Sequence, residues 1–218
     1  MELEQIVRDF ALAIETVDNR RPQASSRRTA ARHYQPGIGP FAEDDAVSMA
    51  VTQMRADHGG VYLSAAERRY PSGNQTCDLA LGDGPEWAIE VKLARVGRDN
   101  GTYEDAAIKK ILSPYADDRS AVTDCVKLAR SGFAGRRAVL IYGFEDPHRP
   151  LFWLIEAFEA VAAQHVKLGT RAEAPLRQLV HPIFASGGVF AWEILGPTET
   201  RANTNADYQA YLCSREAG

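Results

Sequence analysis

Between Thr76 and Ala94 the chain alternates in polarity on both sides of a turn, and this alternation constrains the fold more than any other stretch. The first run is Thr76-Cys77-Asp78-Leu79-Ala80-Leu81, the turn is Gly82-Asp83-Gly84-Pro85-Glu86, and the second run is Trp87-Ala88-Ile89-Glu90-Val91-Lys92-Leu93. A period of two belongs to strands, and Gly and Pro between two such runs close a hairpin. On the second strand Trp87, Ile89, Val91 and Leu93 share one face, while Ala88, Glu90, Lys92 and Ala94 share the other. On the first, Cys77, Leu79 and Leu81 are expected on one face, with Asp78 and Ala80 opposite. Pairing Ala80 with Ala88 then sets Asp78 opposite Glu90, and directly opposed residues have Cβ atoms about 4.5–5.5 Å apart. Two carboxylates that close need a cation between them. A divalent metal or the ammonium of Lys92 would serve, on a face lined by small alanines and expected to be wet.

The order Asp78, Glu90, Lys92 in that hairpin resembles the PD-(D/E)XK phosphodiesterase superfamily, the restriction-endonuclease-like proteins. Asp78 matches its first acidic position, Glu90 its second and Lys92 its lysine. The likeness covers about residues 61–93, and Cys77 stands where the superfamily often has proline. The resemblance implies Mg²⁺, replaceable by Mn²⁺, held by Asp78, Glu90 and the backbone carbonyl of Val91. Lys92 would orient or deprotonate a water or neutralise phosphate charge. It also implies a further carboxylate on the preceding helix, for which Glu43 is the candidate and Asp44 and Asp45 compete. All three equally suit a helix N-terminus electrostatically. Glu67, beside Arg68 and Arg69, is another candidate. Without a metal, the same three residues make a solvated strand face with an ordinary ion pair.

The remaining chain fits a restriction-endonuclease-like α/β core, a mixed central sheet flanked by helices, with N-terminal helical and C-terminal extensions. Residues 1–40 read as an amphipathic helix over 2–18 and a linker carrying Arg20, Arg21, Arg27, Arg28 and Arg32 with no acidic residue from 19 to 40. With His33 and Tyr34 that linker is a candidate DNA-contacting arm or simply solvated chain. Residues 41–197 would form the nuclease-like domain: a helix from Phe41 to about Ala56, a strand from Val61 to Arg69, the hairpin, and helices over about 102–113 and 119–131. A buried strand over Arg136–Phe144, a helix over about 151–166 and strands near 178–185 and 188–195 complete it. Residues 198–218 form a polar tail. Gln75, Arg95, Arg98, Lys109 and Lys110 are candidate nucleic-acid contacts, although Gln75 and Asn74 also suit the turn and the lysines a solvated helix face. Trp153 and Trp192 fall in apolar runs and are expected in the core.

Composition bounds the function classes. The chain has 218 residues and a net charge of −4, so any nucleic-acid surface must be local. Cys77, Cys125 and Cys213 lack metal-ligand spacing, and Cys77 reads as a core thiol in a reducing cytoplasm. The five histidines show no zinc-hydrolase spacing, and neither a phosphate-binding Gly-rich loop nor a serine-hydrolase elbow is present. No apolar run suggests a membrane span, and the acidic start Met1-Glu2-Leu3-Glu4 is unlike a secretory signal. The function expected is a metal-dependent nuclease acting on nucleic acid, most simply a DNA endonuclease. It would work as a possible homodimer, because one site cuts one strand. The alternative is a catalytically silent nucleic-acid-binding or assembly module on the same fold.

Overall fold

The computed structural model describes residues 1–25, 34–71, 73–82, 84, 86–98, 102, 105–145 and 150–198. In chain order the helices are α1 (Leu3–Asn19), α2 (Glu43–His58), α3 (Asp105–Leu112), α4 (Ala121–Ala129) and α5 (Leu151–Ala162). The strands are β1 (Ala66–Arg69), β2 (Thr76–Leu81), β3 (Trp87–Ala94), β4 (Arg136–Phe144), β5 (Val166–Leu176) and β6 (Gly187–Pro197). They form one six-stranded sheet in the order β1-β2-β3-β4-β6-β5. Only β3 and β4 run parallel; every other neighbouring pair is antiparallel. The chain is therefore α/β, with a mixed sheet covered by helices on both faces.

Side-chain alternation divides the core in two. Leu79, Leu81, Trp87, Ile89, Val91, Leu93, Leu140 and Tyr142 meet the buried stripes of α1 and α2. Cys77, Ala88, Ala94, Val139, Ile141 and Trp192 meet α3, α4 and α5. Each fully buried aliphatic side chain contributes about 1.5–3 kcal/mol, so β3, buried along nearly its whole length, anchors both layers. The N-terminal helix belongs to this core: Ile6, Val7, Phe10 and Ile14 are all fully buried.

The hairpin forms in the anticipated register, with Ala80 opposite Ala88. It departs from the expected alternation at one place. Ala66 pairs with Ala80 but Arg68 pairs with Cys77, so β2 carries one extra residue between them, a bulge. Cys77 therefore packs with the α4 layer while Leu79 packs with the α2 layer, although the two were expected on one face. The β2–β3 ladder ends at Leu79 and Ile89.

Other expectations also shift. The first strand is shortened to β1, because Gly59–Val61 makes a 3-10 turn after α2. The strand expected near 178–185 is a loop, and β5 occupies Val166–Leu176 instead, starting where the helix was expected to end. The loop is held by buried His181, whose Nδ1 accepts the Ile183 and Phe184 N–H groups at 3.1 Å. Trp192 is core, but Trp153 is 51% exposed, because the buried stripe of α5 runs through Leu151, Leu154, Ile155 and Phe158. Arg27, Arg28, Arg32, His33, Cys213 and the tail from Glu199 lie outside the described residues.

Asp18, at the end of α1, ties distant loops together. Its Oδ1 accepts the Ile38 N–H at 2.7 Å and its Oδ2 accepts the Val180 N–H. Asp18→Ala would leave two amides with no acceptor, that of Ile38 buried and that of Val180 half-buried, each costing about 1–3 kcal/mol. Urea unfolding should show a loss of about 3 kcal/mol with an unchanged slope; a loss below about 0.5 kcal/mol would dissolve this clasp.

Candidate active site

Beyond the bulge, β3 has a free edge, and two carboxylates occupy it. Asp78 Oδ2 accepts the Val91 N–H at 2.7 Å, and Glu43 Oε2, reaching from the first turn of α2, accepts the Leu93 N–H at 2.6 Å. Asp78 thus takes the place a ladder partner would have had. Glu43, Asp78 and Val91, with Asp44, Ser48, Arg55 and Glu67, line a cavity of about 150 Å³ between α2 and the β1–β2 edge. Glu90 and Lys92 do not line it.

Lys92 stands among acceptors. Its Nζ lies 2.9 Å from Asp124 Oδ2, 3.4 Å from Glu43 Oε1 and 3.4 Å from the Val91 carbonyl oxygen. The Asp124 contact is ionic and off the hydrogen-bond angle for that oxygen. Burial disfavours the charged amine, but the Asp124 and Glu43 carboxylates outweigh it and push the pKa up. Lys92 is an ammonium at neutral pH.

Glu90 is 2% exposed, so the expectation of a wet face fails: α4 covers it. Its Oε1 accepts the Tyr70 hydroxyl and lies 2.7 Å from Lys127 Nζ, which also pairs with Asp124 Oδ1 at 2.9 Å. Burial, then the Asp124 and Asp78 charges, push the Glu90 carboxyl up to about 8, with Lys127 opposing. Burial likewise raises Glu43, against the pull of Lys92 and the Leu93 N–H. Glu43, Asp78, Glu90 and Asp124 bring four carboxylates to one place, met by the two ammoniums of Lys92 and Lys127.

Sequence reasoning missed Asp124, Lys127 and Tyr70. The i, i+3 acid–base pair on the amphipathic 119–131 segment was the one visible signal for Asp124 and Lys127, and Tyr70 read only as part of a turn. The weaker candidates lie elsewhere or serve other ends. Arg95 Nη1 donates to the Phe41 carbonyl at 2.9 Å and to that of Gly39, which pins the chain entering α2. Lys109 pairs with Asp118 at 2.9 Å, Lys110 and Arg98 are exposed, and the Gln75 carbonyl accepts the Tyr70 N–H at 2.9 Å in the turn before β2. Arg20 donates to Gln53 on α2.

The donors fit a hard divalent cation in kind. They are oxygens only, two carboxylates and one carbonyl around the β3 edge, and Mg²⁺ commonly takes few protein ligands and keeps water. They are not assembled into a closed cage: among the described residues no three His, Cys, Asp or Glu side chains converge as a metal set. No helix among the described residues is long and apolar enough to cross a membrane.

The burial of these acids has a pH signature. Glu90 and Glu43 hold protons in the folded protein at pH values where the unfolded chain has released them. The Glu90 contribution is complete below about pH 4 and is lost as pH rises toward about 8, and the Glu43 contribution is lost in the same direction. In metal-free buffer the unfolding midpoint should fall by about 4 °C or more between about pH 5 and about pH 8. Glu90→Gln should flatten that slope. A midpoint that rises over this range would contradict the charge count.

No family model, no curated protein and no solved structure matches the chain.

Proposed function

We propose that the chain is a metal-dependent nuclease with a restriction-endonuclease-like core, hydrolysing phosphodiester bonds in nucleic acid, most simply as a DNA endonuclease. One observation carries this reading. Asp78 and Glu43 seat on alternate N–H groups of β3 with the Val91 carbonyl between them, and Lys92 stands against that carbonyl. Such a set of oxygens suits a divalent cation and one adjacent phosphate. The superfamily resemblance implies helix, three strands, helix, strand, and the order from α2 to β4 follows it with two helices, α3 and α4, in place of the second one.

Asp78, Glu43 and the Val91 carbonyl would hold Mg²⁺ or Mn²⁺, joined by Glu90 if its side chain turns from α4. When bound, the ion supplies charge neutralisation at a phosphate oxygen and a more acidic water. The chain's own residues do the rest. Lys92, kept charged by Asp124 and Glu43, offers an ammonium to the phosphate rather than a base to the water. Glu43 and Asp78 also fix the free edge of β3, which keeps the carbonyl and the ammonium in register. A DNA substrate and a second copy of the chain for the opposite strand are part of the proposal. Arg98, Lys109 and Lys110 are its exposed cations for phosphate contacts.

One observation favours the silent binding or assembly module: Glu90 is buried and paired with Lys127. Plasmid nicking with divalent-metal calorimetry separates the two. Cleavage should need Mg²⁺ or Mn²⁺, be weak with Ca²⁺ and stop with EDTA. Asp78→Ala should lose both metal affinity and nicking. Lys92→Ala should keep metal binding and lose nicking by about 10²–10⁴-fold. Full nicking in excess EDTA, or DNA binding without any nicking in Mg²⁺ or Mn²⁺, would overturn the enzyme reading.

A further inference from the structure

Helix α4 carries chemistry that the motif in the hairpin does not contain. It starts at a capping box, where the Ser120 hydroxyl accepts the Thr123 N–H at 3.1 Å and the Thr123 hydroxyl oxygen accepts the Ser120 N–H at 3.0 Å. Asp124 and Lys127 follow on one face, three residues apart, and both reach β3. Asp124 is buried and divides its oxygens between two ammoniums, Oδ2 to Lys92 and Oδ1 to Lys127, each at 2.9 Å. Lys127 bridges from Asp124 to Glu90 and lies 5.1 Å from the centre of the Tyr70 ring. The Tyr70 hydroxyl and the Lys127 ammonium converge on one oxygen, Oε1 of Glu90. Yet Lys127 is not sealed in: its side chain is 27% exposed while that of Glu90 is 3% exposed.

We infer that Lys127, aimed by Asp124, is a latch on Glu90: it holds the carboxylate against Tyr70 and competes with a divalent cation for it. The inference rests on the metal-site reading above and adds the residue that sets how readily the site loads. An ammonium and a metal ion cannot both take the same carboxylate oxygen at close range. Glu90 does not line the cavity that Asp78 lines, so for its side chain to turn toward Asp78 the grip of Lys127 and Tyr70 on Oε1 must loosen. The displaced ammonium keeps Asp124 as its partner, so no bare charge is left buried when the latch opens. Lys127 is thus a positioning residue acting through Glu90. Its removal has an unusual sign: deleting a native ion pair should strengthen ligand binding.

Calorimetric titration of the full chain with MnCl₂ tests this. Lys127→Met keeps the length of the side chain and removes the charge. It should bind Mn²⁺ about tenfold or more tightly than the wild type. Tyr70→Phe removes the other grip on the same oxygen and should also tighten binding while keeping Lys127, so the test survives if Lys127→Met unfolds. Lys167→Met, which removes an exposed positive charge on β5 far along the sheet order, controls for net charge and should leave the affinity unchanged. Mn²⁺ binding to the wild type with equal or weaker binding to both latch variants would overturn the latch and leave the metal site standing. Binding to Lys127→Met alone would support the latch. Absence of binding to the wild type and to every variant would overturn the metal-site reading and the latch with it. An equal gain in Lys167→Met would reduce the effect to net charge and overturn the latch.

Discussion

The site depends on a strand that loses its neighbour. One extra residue in β2 breaks the ladder after Leu79 and Ile89, and β3 continues with its edge uncovered. Backbone N–H groups left unpaired inside a protein cost about as much as a lost hydrogen bond each. Here they are satisfied by side chains rather than by a strand: Asp78 on Val91 and Glu43 on Leu93. The consequence is chemical. Ladder partners would have been neutral amides, whereas these partners are acids, and Glu43, Asp78 and Val91 all line the cavity. A bulge beside a functional edge is a recurrent way to re-aim a side chain.

Acids gathered this closely must be compensated. Lys92 and Lys127 meet four carboxylates, and burial, with neighbouring carboxylates second, still raises the pKa values of Glu90 and Glu43. Helix α4 carries much of the compensation through Asp124 and Lys127, so one network joins the sheet to the helix layer behind it. Buried ion pairs of this kind add little net stability, because desolvation offsets the attraction. Their effect lies in fixing which way each charged group points.

Much of the architecture was legible in local pattern. The period of two placed β2 and β3 and their register, and the apolar run Ala138–Tyr142 placed a buried strand, because burial on one or both faces writes itself into adjacent residues. The bulge was not legible: whether Cys77 and Leu79 share a face depends on β1, whose pairing with β2 is a tertiary fact. The same limit hid Asp124 and Lys127, which reach β3 from about 30 residues along the chain and are ordinary helix-surface residues by spacing. Glu43 was visible only as one of three first-turn acids. The Leu93 N–H distinguishes it from Asp44 and Asp45. Trp153 misled because α5 is apolar nearly all round, so period alone did not identify its outer face.

The central claim is that the β3 edge is a divalent-cation site. Crystals soaked in MnCl₂ test it directly through anomalous scattering. The account predicts one strong peak about 2.1–2.3 Å from a carboxylate oxygen of Asp78 and from the Val91 carbonyl oxygen, with Glu43 or Glu90 beside it. Soaked crystals with no peak at that edge, or with Mn²⁺ bound only elsewhere on the surface, would contradict it.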